Sequence, residues 1–144
     1  MSSSTKPLYD RDFAEWSDRT AALIRAGKFD EVDVENVAEE IESLGRAERK
    51  AVRSQLQRLM MHKIKQQIQP ERDNASWHAS VRSARTEILE DLADSPSLRR
   101  HLRENLQRVY LLAARDAREE TGSNDPDIPE ECPWDLDALL EEKD

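Results

Sequence analysis

The chain is poor in the residues that cross-link, break or span. A single cysteine, Cys132, leaves no partner for a disulfide within the chain and no thiolate set for a zinc site, which points to a reducing compartment. Only three glycines occur, and aromatic side chains make up 5% of the residues. Glycine-rich phosphate loops are absent, as are a Gly-x-Ser-x-Gly elbow and a His-Glu-x-x-His helix motif. The longest apolar run, Val109 to Ala114, is far short of the roughly 20 residues that a membrane helix requires. The opening MSSSTKPLYD holds no apolar stretch of signal-peptide length. A soluble, cytoplasmic protein with no membrane partner is expected.

What remains favours helix. Leu, Ala, Glu, Arg and Asp dominate, and most of these side chains lose little rotamer freedom in a helix. At 144 residues the chain has the length of one ordinary domain. The expected fold is all-α: a compact single-domain bundle of about five helices plus a short C-terminal helix, over residues 9–141. Residues 1–8 are expected to form a disordered tail, and residues 142–144 a loose end. No internal repeat is visible, which argues against a solenoid.

Charge is unevenly placed within a net of −9. Residues 46–85 carry ten Lys/Arg against three acids, whereas the rest of the chain has twelve against twenty-eight. A basic centre between acidic arms suits internal complementarity or an acidic partner, while the overall sign argues against nucleic acid as the main partner.

Apolar spacing and caps set the expected elements. A first helix starts after Asp10 and closes at Gly27, with Phe13, Trp16, Thr20, Leu23 and Ile24 on one face. A second runs from an Asp33 cap to Gly45 with Val34, Val37, Ile41 and Leu44 turned to the core. Continuing that face would place Glu48 among the apolar residues, so a break or kink is expected at Gly45. A third runs from Arg46 toward Gln69 through Val52, Leu56, Leu59, Met60, Ile64 and Ile68, and Pro70 stops it. A fourth is capped near Asn74 or Ser76 and buries Trp77, Val81, Ala84, Ile88 and Leu92. In SPSL, Ser95 caps the fifth helix and Pro96 takes its first position; it then runs to Thr121-Gly122. A proline-rich acidic loop leads to a last short helix capped by Asp135. Trp16, Trp77 and Trp134 each lie near an element start and read as core anchors.

The stretch AEEIESLG, Ala38 to Gly45, is the densest acidic cluster beside an apolar stripe. Glu39 and Glu42 fall almost opposite Ile41, with Arg46 positioned to pair with Glu42, so both belong to a solvated face. Glu40 lies at the boundary, where a carboxylate reaches a neighbouring element. Arg85 and His78 fall near the apolar arc of the fourth helix, and Asp116, with Asn105, falls on that of the fifth. Glu40 or Asp116 is therefore the expected partner of Arg85, Glu40 being preferred. A catalytic role, if there is one, would use Glu40, His62, His78, Arg85 and Asp116, with Arg82, Tyr110 and Cys132 as further members. No His lies three residues after a Glu, which removes the di-metal carboxylate motif. No metal and no cofactor is expected. Cys132 stands between Glu131 and Pro133 without an activating cation, a poor setting for a nucleophile.

AEEIESLG followed by Arg, together with MHKIK, QPERDNASWHASV, ETG and PEECPWDLDALL, resembles the bacterial domain of unknown function family 29 from about Tyr9 to Leu140. The family pattern falls here on Glu39, Glu40, Glu42, Leu44, Gly45, His62, Lys65, Pro70, Trp77, Arg85, Ser95, Pro96 and Pro133-Trp134. Ala47 and Gln66 depart from it, where members often have a serine able to cap a new helix and a tryptophan. The resemblance implies a compact all-helical domain and no particular reaction.

The leading expectation is a non-enzymatic helical protein-interaction module, regulatory or antitoxin-like, with a protein partner; self-association is left open. The alternatives are a small hydrolase or metal-binding enzyme with a Glu/His/Arg pocket, and nucleic-acid binding through residues 46–85.

Overall fold

The computed structural model of the protein describes residues 6–141, and among them every regular element is helical. The fold class is all-α, as the composition requires. The elements are α1 (Leu8–Arg11), α2 (Phe13–Arg25), α3 (Val34–Ile68), α4 (Ala75–Asp94), α5 (Leu98–Thr121) and α6 (Leu136–Glu141), with 3-10 turns at Phe29–Glu31 and Pro70–Arg72. The expected disorder of residues 1–5 and the loose end at 142–144 lie outside the described residues. Leu8, assigned to the tail, already begins α1.

The first helix divides in two because Asp12 leaves helical geometry at φ −151°, ψ 89° and caps α2, its Oδ1 accepting from Glu15 N–H at 3.0 Å. α2 closes in a Schellman motif. Gly27 takes φ +74°, its N–H donates to Ile24 O at 3.0 Å, and Lys28 N–H donates to Leu23 O at 2.9 Å. Asp33 caps α3 through Asn36 N–H at 3.2 Å, Asn74 caps α4 through Trp77 N–H at 3.0 Å, and Gly122 ends α5 in the left-handed region at φ +67°.

Two boundaries differ from expectation. The helix does not break at Gly45: α3 is continuous over 35 residues. A glycine in a helix interior costs only about 0.5–1 kcal/mol relative to alanine, and Ala47 offers no side-chain oxygen to cap a new start. Arg46 also ties the turns together, with Nη2 at 2.8 Å from Glu39 Oε1 and Nη1 at 3.7 Å from Glu42 Oε2. The other difference is at SPSL. Ser95 ends α4, its N–H donating to Asp91 O at 2.8 Å, and its hydroxyl donates to Glu48 Oε2 at 3.2 Å. Pro96 and Ser97 form a tight turn closed by Leu98 N–H to Ser95 O at 3.0 Å, and α5 begins at Leu98 without a side-chain cap.

The chain divides into two compact units, Met1–Arg46 and Ala47–Asp144. All buried apolar side chains among the described residues belong to the second: Val52, Leu56, Leu59, Met60 and Ile64 of α3, Val81, Ala84, Ile88 and Leu92 of α4, and Leu98, Leu102, Val109 and Tyr110 of α5 lead the cluster, with Leu136, Leu139 and Leu140 of α6. Most of the stripes expected for the third, fourth and fifth helices are thus buried, while Ile68, Trp77, Leu106 and Leu112 are only partly so. Ile128 joins the same core, and the loop before α6 is held to α5 by Tyr110 Oη donating to Pro129 O at 2.6 Å and Gln107 Nε2 donating to Glu130 O at 2.9 Å.

The first unit differs. Its one buried residue among those described is Thr20. The face of α3 assigned to the core is exposed: Val34 is 66%, Ile41 63% and Leu44 69% accessible.

Candidate functional site

Glu40 meets Tyr9. The phenol donates to Glu40 Oε1, tying the start of the chain to α3 within the first unit. The hydrogen bond to Glu40 comes first among the causes that push the Tyr9 hydroxyl up to about 12; desolvation and the charge of Glu40 act in the same direction. Tyr9 also stands edge-on to Trp16 at 4.7 Å between ring centres, and Phe13 lies 5.5 Å from Trp16. A tyrosine at the edge of the tail was absent from the candidate residues; its signal was the aromatic spacing Tyr9, Phe13, Trp16.

Arg85 is buried in the second unit, and its Nε donates to the carbonyl oxygen of Leu139 at 2.9 Å. Glu40 is thus engaged by a phenol of its own unit, and Arg85 by a backbone carbonyl of the second. His78 lies at the surface rather than at the core boundary. Its Nε2 is 2.8 Å from Asp73 Oδ2, and Gln66 Nε2 is 3.4 Å from its Nδ1. Asp116 accepts from Gln57 Nε2 at 2.5 Å and from Arg115 Nη2 at 3.3 Å. His62 is half-buried on α3, and desolvation first, then Lys65, holds its pKa below the ordinary value. Arg82 is exposed. Cys132 is partly buried, with Sγ 3.4 Å from Trp134 O, and burial pushes its thiol up. Each of these groups answers to a different neighbour. Among the described residues, no three or more His, Cys, Asp or Glu side chains are placed to hold a metal ion.

Of the three tryptophans expected to anchor the core, Trp134 packs against it, Trp16 packs on Tyr9 and Phe13, and Trp77 is only partly buried. Trp134 stands edge-on to Tyr110 at 5.9 Å and carries Lys63 over its ring at 5.7 Å; Lys65 lies 4.9 Å over Trp77 while its ammonium reaches Glu120 at 3.3 Å.

Two features stand out as surfaces able to bind. One is the stripe Val34, Ile41 and Leu44 on one side of α3, with Phe13 and Phe29 also exposed in the first unit. The other is a groove between α3 and α5 in the second unit, with a volume of about 150 Å³, lined by Lys50, Arg53, Ser54, Gln57 and Arg108 above Val109. Arg53 Nη1 lies 2.9 Å from His101 Nε2. Since a guanidinium only donates, that nitrogen accepts and His101 is neutral. Desolvation, then Arg53 and Arg49, hold the His101 pKa below its ordinary value, which agrees with that assignment.

Among the described residues, no helix is long and apolar enough to cross a membrane. A family model, Domain of unknown function DUF29, matches residues 8–143, nearly the whole chain. No curated protein and no solved structure matches.

Proposed function

Since the chain belongs to the domain of unknown function family DUF29, whose description names no reaction, we propose from its own geometry that it is a non-enzymatic helical protein-interaction module of a bacterial cytoplasm. The observation that carries this reading is the exposed stripe of α3. Val34, Val37, Ile41 and Leu44 follow 3-4-3 spacing, the pattern by which a helix lays one face into an apolar groove of a partner. Fully burying one such side chain is worth about 1.5–3 kcal/mol, so three that are two-thirds exposed hold several kcal/mol for docking. Association consumes at least about 4 kcal/mol in lost freedom, and the stripe alone makes a modest anchor. Glu35, Glu39 and Glu42 on the opposite face give the helix a negative field that steers a basic partner toward it.

Hydrolysis would need a base aimed at a nucleophile. Here His78 is engaged by Asp73 and Gln66, and Asp116 by Gln57. A photo-reactive residue placed at Leu44, compared with one at exposed Glu87 of α4, tests the reading in living cells. Leu44 should yield a discrete protein adduct that Ile41→Asp removes, with none at position 87. Equal, diffuse labelling at both positions would count against it.

A further inference from the structure

We propose that the groove between α3 and α5 is a binding site for a small phosphate monoester, held by Lys50, Arg53 and Arg108. Several arginines elsewhere among the described residues are ion-paired: Arg19 with Glu15, Arg46 with Glu39, Arg99 and Arg103 with Asp137, Arg100 with Glu104, Arg115 with Asp116. Among the described residues, Lys50, Arg53 and Arg108 make no ion pair with a carboxylate, yet they converge on one concavity. Three like charges side by side repel, and an anion between them converts that repulsion into attraction.

The groove is prepared for such a guest. Lys50, Arg53, Ser54 and Gln57 occupy one side of α3 at i, i+3, i+4 and i+7, facing Arg108 on α5. Arg53 is held by one Nη to neutral His101, which fixes the guanidinium plane and leaves its other N–H groups to donate. Gln57 is held by Asp116, a carboxylate also engaged by Arg115. The volume of about 150 Å³ corresponds to roughly five waters at 30 Å³ each, room for a phosphate and a short carbon arm against Val109. Two or more cations match the dianion of a monoester better than the single charge of a diester.

Isothermal titration of the whole protein with phenyl phosphate, inorganic phosphate and a short DNA duplex at low salt tests this, with the His101 ring resonances followed in parallel. The expected result is saturable binding of one phenyl phosphate per chain with a millimolar or tighter Kd, weaker binding of inorganic phosphate, and no tight DNA binding. Lys50→Gln with Arg108→Gln should weaken binding by about tenfold or more, as loss of charge-assisted contacts does. Both side chains are exposed, so an unchanged melting temperature certifies the fold of the double variant. The bound charge should also raise the pH at which His101 titrates, by offsetting Arg53 and Arg49 and acting in the same direction as Glu104 on α5. Absence of saturable binding, or equal affinity in the double variant, overturns the proposal. DNA bound in preference to phenyl phosphate, and lost in that variant, overturns it in favour of a polyanion surface.

Discussion

Tyr9 donates its phenolic hydrogen to Glu40, joining α1 to α3 across 31 positions of the chain. The bond closes the first unit, which among its described residues buries no apolar side chain and must be held by polar and ring contacts instead. Because the carboxylate accepts from the neutral phenol, ionising Tyr9 removes the bond.

That relationship has a pH signature. The folded-state value for Tyr9, about 12, exceeds the ordinary 10.0, so its contribution to stability is complete below pH 10 and is lost as pH rises toward 12. Tyr110 shifts in the same direction, through burial. A tyrosinate absorbance titration should therefore show little ionisation at pH 10 in the native protein and an abrupt rise on adding urea. In Tyr9→Phe the remaining step belongs to Tyr110 alone.

At the acid end two histidines set the slope. His62 and His101 are both held below 6.5, mainly by desolvation, so the fold favours their neutral forms. Their contribution is complete above pH 6.5 and is lost as pH falls from there through the lowered folded values. Urea midpoints measured between pH 7.5 and 5 should fall on acidification, and His62→Gln with His101→Gln should flatten that part of the curve.

Gly45 sits in an unbroken helix and does not adopt positive φ, unlike Gly27 and Gly122. Gly45→Ala should stabilise the protein by about 0.5–1 kcal/mol, the difference in helix propensity. Alanine at position 27 or 122 should destabilise it, because the left-handed conformation strains any side chain. Chemical denaturation of the three variants separates the cases by sign.

The two halves of α3 should respond oppositely to truncation. Leu56→Ala removes a fully buried side chain and should cost about 2–5 kcal/mol. Leu44→Ala, on the exposed stripe, should change the stability of the isolated protein by no more than about 0.5 kcal/mol. A large loss at Leu44 in denaturant melts would show that the stripe is covered in solution.

Much of the helix inventory is written locally. Asp33 and Asn74 cap with side-chain oxygens, Gly27 and Gly122 close with left-handed turns, and Pro70 stops α3; each effect acts within four or five residues, so the sequence alone determined them. The same holds for the apolar stripes of α4, α5 and the second half of α3, where periodicity and burial agree. Other outcomes depended on groups far apart in the chain. The Ser95 hydroxyl meets Glu48, 47 residues away, Arg85 found the Leu139 carbonyl 54 residues away, and Glu40 found Tyr9. The cations of the groove are brought together only by packing α3 against α5, because no spacing within either helix encodes the other. Periodicity declared the face of Val34, Ile41 and Leu44 apolar, but an amphipathic pattern specifies only which side seeks cover. Whether that side is covered is decided by what packs against it, and there the tertiary structure left it open to solvent.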